Sequence, residues 1–133
     1  VFGITRDTGP NDFIKAALDS VAYQTCDLFD ALACDGVTPK AVRVDGGMAA
    51  SNWTMQMLSD LVELPVDRPK NLETTALGAA YLAGMQVGFY PPMDEFSESW
   101  QSESQFNSKM KEELRARKLA GWKEAVRRTL SNN

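Results

Sequence analysis

The residues best suited to chemistry are two glycines that follow a short apolar segment. Segment 41–44 has the composition of a strand, and Asp45-Gly46-Gly47 comes directly after it. Glycine adopts positive φ at little steric cost, and its missing side chain lets a ligand approach the backbone. Where such a turn leads from a strand into a helix, the first helical amides favour an anion. The pattern predicts either an anion-binding turn or a tight chain reversal without a ligand.

Other kinds of site are excluded or disfavoured by composition. The chain has no histidine, which removes the usual general base and most zinc-site designs. Neither the G-x-G-x-x-G pattern nor the G-x-x-x-x-G-K-[ST] loop is present. We interpret Asp45 as a structural turn residue, because aspartate readily bonds nearby backbone. Asp60 lies near a predicted helix end, where it could form a salt bridge, and neither carboxylate is assigned to catalysis.

Two cysteines, Cys26 and Cys34, fall within one predicted helix. At about 1.5 Å rise per residue they are roughly 12 Å apart, beyond the reach of a disulfide. We interpret both as small buried core residues, and two free thiols favour a reducing compartment, the cytoplasm.

Charge and hydropathy narrow the class of partner. The formal net charge is −4 and the pI is about 4.8, so the chain lacks the basic face that nucleic-acid binding needs. No apolar run approaches the ~20 residues of a membrane span. The opening Val1-Phe2-Gly3 has no initiator methionine and no signal-peptide pattern, which predicts that the sequence enters in mid-domain.

The elements that must position the glycine turn can be predicted from periodicity. Apolar residues at helical spacing predict a helix from Asp12 to Leu32, ended by Asp35-Gly36. Ser51 or Asn52 is a cap for a second helix, with Trp53 and Met57 expected in its core. Segment 64–66 is predicted as a short strand at a sheet edge, because of its proline.

The remaining elements have a weaker hydrophobic periodicity. Thr74-Thr75 caps a helix rich in small residues that ends between Gly84 and Gly88, and we expect it to pack closely on a neighbour. Segment 91–105 is polar and acidic and is predicted to be a surface loop. Asn107 is predicted to cap a last helix ending near Leu130, whose charged faces are interpreted as solvated. Its expected apolar side holds Met110, Leu114, Leu119, Trp122, Val126 and Leu130.

The order helix, strand, glycine turn, helix, strand, helix predicts part of an α/β layer. It contains too little strand for a complete sheet. We therefore expect an exposed apolar edge that promotes self-association.

Several stretches carry a family resemblance. Segments 43–52, 55–60 and 65–69 are similar to the C-terminal signature of the FGGY carbohydrate kinases. Segments 2–6, 22–25, 73–84 and 120–126 are similar to the glycerol kinase branch of that family. The resemblance covers nearly the whole chain, and only 94–117 matches loosely.

The resemblance implies an actin-like (ribonuclease H-like) ATPase fold, with residues 1–133 as the C-terminal portion of the second domain. It implies ATP with Mg²⁺, phosphoryl transfer to glycerol, and a homo-oligomeric full-length enzyme. It places nucleotide contacts at Gly47 and Ser51, with Gly46 beside them, and Asn52 as a substitute for Ser51. It also implies that the catalytic aspartate and the glycerol-binding residues lie in other segments, so that this chain alone would be inactive.

Two alternatives stay open. One is another FGGY sugar kinase, of the xylulose or gluconate type. The other is a non-catalytic assembly module, in which the charged last helix docks a partner or a second subunit.

Overall fold

The computed structural model describes residues 1–130. Along the chain, α1 spans Pro10–Cys34, β1 Val42–Arg43, a 3₁₀ helix Gly47–Ala50 and α2 Asn52–Val62. These are followed by β2 at Val66–Pro69, α3 at Thr74–Gln86, α4 at Met93–Ser97, β3 at Ser102–Phe106 and α5 at Glu112–Thr129. The strands form one sheet in the order β1-β2-β3. The expected helix-rich α/β fragment with a small sheet is confirmed.

The first helix begins and ends with recognisable signals. Pro10 occupies the first helical position, and the Asp12 carboxylate accepts the Gly9 amide at 2.9 Å. At the other end Gly36 has a φ of 79°, and the Val37 amide donates back to the Leu32 carbonyl. Helix α1 is therefore slightly longer than predicted, by a few residues at its two ends together.

The sheet combines one parallel and one antiparallel pairing. Val42 aligns with Val66 in the parallel β1–β2 ladder, and Val66 aligns with Phe106 in the antiparallel β2–β3 ladder. Strand β2 is therefore central, and our prediction that it lies at a sheet edge is wrong. Its prolines are tolerated because Pro65 precedes the strand and Pro69 ends it at a register shift.

The core is centred on α2. Leu61 and Val66 are almost completely buried, and Met55, Met57 and Leu58 are buried with them. Ser59 Oγ lies 2.9 Å from the Leu64 carbonyl oxygen and 3.0 Å from that of Phe106, so one buried hydroxyl joins α2 to β3 and to the segment that leads into β2. Trp53, which we expected in this core, is 44% exposed and lies beside Lys15 of α1.

The segment predicted as a loop is partly regular. Residues 91–105 contain α4 and most of β3, and β3 completes the sheet beside β2. The last helix begins at Glu112, without the predicted Asn107 cap. Met110 consequently precedes the helix, and Leu130 follows it and is exposed. Trp122 stacks on Tyr23 of α1 with ring centroids 5.3 Å apart.

Helix α3 does not pack as expected for its small residues. Tyr81 is its only buried residue and stacks on Phe96 of α4 at 4.2 Å between centroids. Leu82 and Met85 are exposed, as are Val87 and Phe89 just beyond the helix. Part of the exposed apolar surface therefore lies on α3 and the residues after it, and another part lies near the N-terminus and on α1, for example at Phe2, Phe13 and Leu28.

The two cysteines are free, as predicted, but differ in environment. Cys26 packs against the core, and burial is the main cause that raises the pKa of its thiol to about 11, followed by Asp30 and Asp27. Cys34 is exposed, which contradicts our interpretation of it as a core residue. It lies at the last position of α1. Within residues 1–130 no helix is long and apolar enough to cross a membrane.

Candidate functional site

The glycine turn is held by backbone bonds from both sides. The Val44 amide donates to the Asp67 carbonyl at 3.2 Å, and the Gly46 amide donates to the Leu72 carbonyl at 3.0 Å. Gly46 has φ 77° and ψ 173°, a backbone conformation that residues other than glycine rarely adopt. Glycine is required at this position by the backbone conformation and not by crowding, because a Cβ there would meet open space.

The 3₁₀ helix then presents exposed backbone. The Ala49 amide donates to the Gly46 carbonyl at 3.0 Å, and the Ser51 amide donates to that of Met48 at 3.1 Å. Among residues 1–130, the amides of Gly47 and Met48 have no acceptor. Both residues are exposed, so two N–H groups at this turn are open to an approaching ligand.

Ser51 is the N-cap of α2, one of the two caps that we predicted, and Asn52 is the first helical residue. Its Oγ accepts the Thr54 amide at 3.2 Å and lies 2.9 Å from the Thr54 hydroxyl. This bond satisfies one of the free amides that begin every helix. The Ser51 oxygen is therefore already used by the fold, and only its own proton remains to be donated to a ligand.

The Asn52 side chain is tied to β2. Its Oδ1 accepts from Nη1 of Arg68 at 2.7 Å. The same Nη1 lies 3.2 Å from the Ala49 carbonyl oxygen and 3.4 Å from that of Ala50. One guanidinium nitrogen thus holds the end of the 3₁₀ helix and the first residue of α2 together. Sequence reasoning did not single out Arg68, although a charged residue between Val66 and Pro69 in a short buried strand was a usable signal.

Strand β3 anchors the same guanidinium. Nε of Arg68 donates to Glu103 at 2.7 Å, and Nη2 donates to the Ser104 hydroxyl at 3.3 Å, both on β3. The guanidinium carbon also lies 5.3 Å from the Phe106 ring centroid. Arg68 is 9% exposed, so the side chain acts as a buried bridge between β3 and the glycine turn.

The two aspartates singled out from sequence both have structural partners. Asp45 accepts a hydrogen bond from the Thr74 hydroxyl, which connects the glycine turn to the start of α3. Asp60 forms no salt bridge within residues 1–130, although we had considered one. Its Oδ1 accepts the amides of Lys109 and Met110 at 2.7 and 3.2 Å and the Gln56 side chain at 3.0 Å. Asp60 thereby fixes the chain between β3 and α5, which only the tertiary structure could reveal.

Two concave regions lie near these elements. A cavity of about 360 Å³ lies where the Arg43 guanidinium is 4.2 Å from the Trp100 ring centroid, with Thr74 and Leu77 on another wall, and its lining does not include the glycine turn. A larger groove of about 760 Å³ lies between α1 and α5, against Phe13, Tyr23 and Trp122. The larger groove is mainly apolar and does not include the glycine turn.

The displaced pKa values lie away from the glycine turn. Besides Cys26, burial and Asp19 raise the pKa of Tyr23. Hydrogen bonds from Arg127 and then Arg128 lower the pKa of Glu124 to about 2. These ion pairs run along α5 itself, which agrees with a solvated charged face. In residues 1–130 no cluster of three His, Cys, Asp or Glu side chains could hold a metal ion.

Comparison with known proteins gives a consistent picture. Residues 1–87 match the C-terminal domain of the FGGY family of carbohydrate kinases. The chain is 54% identical over 134 residues to a glycerol kinase of Allorhizobium ampelinum, covering 98% of this chain and 27% of that protein. It is 56% identical over 133 residues to a glycerol kinase of Roseobacter denitrificans, with the same two coverages. The chain thus spans about a quarter of the length of the curated relatives it matches.

Solved structures agree at the level of fold. A crystal structure of Plasmodium falciparum glycerol kinase with ADP superposes with a TM-score of 0.80 at 35% identity, covering 99% of this chain and 27% of that one. A gluconate kinase of Lactobacillus acidophilus superposes with a TM-score of 0.70 at 21% identity and covers the same shares, which shows the fold alone. The expected fold class, part of an actin-like kinase domain, is confirmed.

Proposed function

The chain belongs to the FGGY family of carbohydrate kinases, and from this premise we propose that it forms the C-terminal, nucleotide-side portion of a glycerol kinase. The reaction of the full-length enzyme is transfer of the γ-phosphoryl group of ATP to a terminal hydroxyl of glycerol. The observation that carries the proposal is the identity above 50% to glycerol kinases across nearly the whole chain. The gluconate kinase likeness, at 21% identity, does not favour the sugar-kinase alternative.

In this proposal the glycine turn receives the nucleotide. Gly46 sets the backbone, Gly47 lets the ligand approach closely, and Ser51 and Asn52 supply side-chain donors. The exposed amides of Gly47 and Met48 support this role, because such groups suit the anionic or acceptor atoms of a nucleotide. The Plasmodium relative was solved with ADP, which supports nucleotide use by the full-length enzyme.

In this proposal Mg²⁺ binds together with ATP. Magnesium is usually held by one or two carboxylates together with nucleotide phosphates. The described residues do not fit a resident metal site, since residues 1–130 hold no suitable carboxylate cluster. We therefore treat Mg²⁺ as a partner of ATP and derive no step through it.

Catalysis is assigned to the full-length enzyme. Phosphoryl transfer depends on positioning and on neutralising charge around the transferred group. The glycine turn offers backbone amides and neutral side chains, which suit binding and orientation. We expect no glycerol phosphorylation by the 133-residue chain alone, and a homo-oligomeric, cytoplasmic full-length enzyme.

The acceptor is tested by assaying ADP release with the full-length protein and with residues 1–133 separately. We expect the full-length protein to prefer glycerol over xylulose and gluconate, and the chain alone to show only background. A full-length protein that rejects glycerol and accepts a sugar would overturn the assignment. Turnover by the chain above that of a mock-purified control would overturn the division of roles.

The nucleotide contact is tested by Gly47→Ala in the full-length protein. A Cβ at Gly47 meets no atom within 4 Å and the backbone does not require glycine there, so the fold should tolerate the change. A methyl group against a bound nucleotide should raise the KM for ATP about tenfold. The matched control is Gly121→Ala in α5, which also meets open space and should leave that KM unchanged. Equal KM values for ATP in both variants would remove Gly47 from the site.

A further inference from the structure

Arg68 is a nearly buried cation that donates mostly to neutral acceptors. Among residues 1–130 it has a single carboxylate partner, Glu103, whose side chain is about half exposed. Its other partners are neutral: the carbonyls of Ala49 and Ala50, Oδ1 of Asn52 and the Ser104 hydroxyl. Burying a guanidinium is costly unless all its donors are satisfied. Three of its acceptors belong to the segment that follows Gly47, so the side chain does more than complete an ion pair.

Two of these acceptors, the carbonyls of Ala49 and Ala50, lie where the backbone needs an external donor. Carbonyls at the end of a helix lack intrahelical partners, and the 3₁₀ helix ends at Ala50. Arginine suits this position, because its planar fork holds several acceptors in one fixed geometry, whereas lysine offers a single ammonium. The guanidinium therefore fixes the Ala49–Asn52 backbone relative to β2 and β3.

The same bond decides how Asn52 can act. Because Oδ1 accepts from Arg68, the remaining polar group of the Asn52 side chain is its Nδ2 amide, a donor. Among residues 1–130, Nδ2 has no acceptor, and Asn52 is exposed. The arginine thus presents this residue to solvent as a hydrogen-bond donor, next to the open amides of Gly47 and Met48.

We propose that Arg68 is a positioning residue for the nucleotide: its guanidinium holds the Gly47–Asn52 segment in the shape that binds the nucleotide and orients Asn52 as a donor to it. The inference rests on the proposed function of the glycine turn. Arg68 itself is nearly buried behind that turn and acts through the segment it holds. Small displacements of binding groups have large consequences for affinity and rate, so loss of this clamp should be felt mainly by the nucleotide.

The experiment compares Arg68→Lys and Arg68→Met with wild type in the full-length protein. We expect the KM for ATP and the Kd for ADP, measured by titration calorimetry, to rise about tenfold. The KM for glycerol should stay within about twofold, because the proposal gives Arg68 no role on the glycerol side. Arg68→Lys keeps the positive charge beside Glu103 and should fold even if Arg68→Met does not.

Two further variants separate the clamp from its neighbours. Glu103→Gln removes the charge partner but leaves the bonds to the turn, and should keep the ADP Kd within about twofold of wild type. Asn52→Asp keeps an oxygen for Arg68 but removes the Nδ2 donor, and should raise the ADP Kd several-fold while the melting temperature stays near that of wild type.

The outcomes are distinct. The proposal is overturned if Arg68→Lys lowers the melting temperature but leaves the ADP Kd and ATP KM within twofold, since Arg68 would then serve stability alone. It is also overturned if Glu103→Gln weakens ADP binding as much as Arg68→Lys, because the ion pair and not the turn contacts would then matter. A wild-type protein that binds ADP but does not phosphorylate glycerol refutes the acceptor assignment and leaves the ADP measurements on Arg68 decisive.

Discussion

Helices α2 and α3 are similar in length but lie in opposite environments. Six of the 11 residues of α2 are buried, whereas only Tyr81 is buried among the 13 residues of α3. Helix α2 is amphipathic and contacts α1, α5 and two strands. Helix α3 is apolar on several faces, with alanine and glycine where α2 has polar residues, and it leaves that surface exposed. The single apolar face of α2 is buried by other elements of this chain. Helix α3 is apolar on more faces than the other elements bury.

The contrast extends to how the two helices begin. Ser51 caps α2 through its side chain, whereas Glu73, at the same position of α3, makes no side-chain cap bond. The residues of the proposed nucleotide site follow this division, because the glycine turn, Ser51 and Asn52 lie at the start of α2 and Arg68 bonds to that segment from β2. The proposed site thus lies on the part of the chain that packs on its own core.

The largest difference is expected for matched leucine truncations. Leu61→Ala removes a side chain that is 1% exposed and should lower the free energy of unfolding by about 2–5 kcal/mol. Leu82→Ala, at a residue 59% exposed on α3, should change it by less than about 0.5 kcal/mol. Urea unfolding followed by circular dichroism measures both. Comparable losses would mean that α3 is covered in solution and would break the comparison.

The next effect concerns the connection from β3 to α5, beside α2. Asp60→Ala removes the acceptor of two backbone amides and of Gln56, and should cost about 1–3 kcal/mol in the same unfolding assay. Asp60→Asn keeps an oxygen in place and should cost less, because the backbone amides retain a neutral acceptor. If asparagine costs as much as alanine, the negative charge and not the acceptor geometry stabilises this connection.

A smaller effect tests the two helix starts directly. Ser51→Ala removes the cap of α2 and should cost about 1 kcal/mol of unfolding free energy. Glu73→Ala removes no cap bond and should fall within about 0.5 kcal/mol of wild type. Both are measured without nucleotide, so that ligand binding does not contribute. Equal losses would show that the cap bond is not what distinguishes the helices.

The smallest expected effect is a stabilisation, an increase in the free energy of unfolding. Gly78→Ala in α3 meets no atom within 4 Å and should raise the free energy of unfolding by about 0.5–1 kcal/mol, because alanine favours the helix. At Gly84 a Cβ would overlap the Tyr90 ring, so Gly84→Ala is the destabilising counterpart. The thermal unfolding midpoint reports both changes. A lower midpoint for Gly78→Ala would indicate that α3 packs against a second copy through this face.

Sequence reasoning located α1, β1, α2 and α3, because each combines a periodic pattern with a start or stop residue. It missed β3, since Ser102–Phe106 is polar and its strand conformation depends on pairing with β2, 38 residues away at Asp67 and Gln105. It also misplaced β2 at an edge, because the presence of β3 was unknown. The start of α5 was misjudged for a related reason: Asp60 of a distant helix, and not Asn107, holds the residues before it.

What the sequence determined by itself is the glycine turn, its place between a strand and a helix, a cap at Ser51 or Asn52, and the family resemblance. These depend on neighbouring residues, whose conformational preferences act locally. The roles of Arg68, Asn52 and Asp60 were decided only by the tertiary structure, because each is defined by partners between 16 and 50 residues away along the chain. The exposure of α3 was also determined by the tertiary structure. A helix's pattern indicates which surface could be buried, whereas the packing of the other elements determines whether it is.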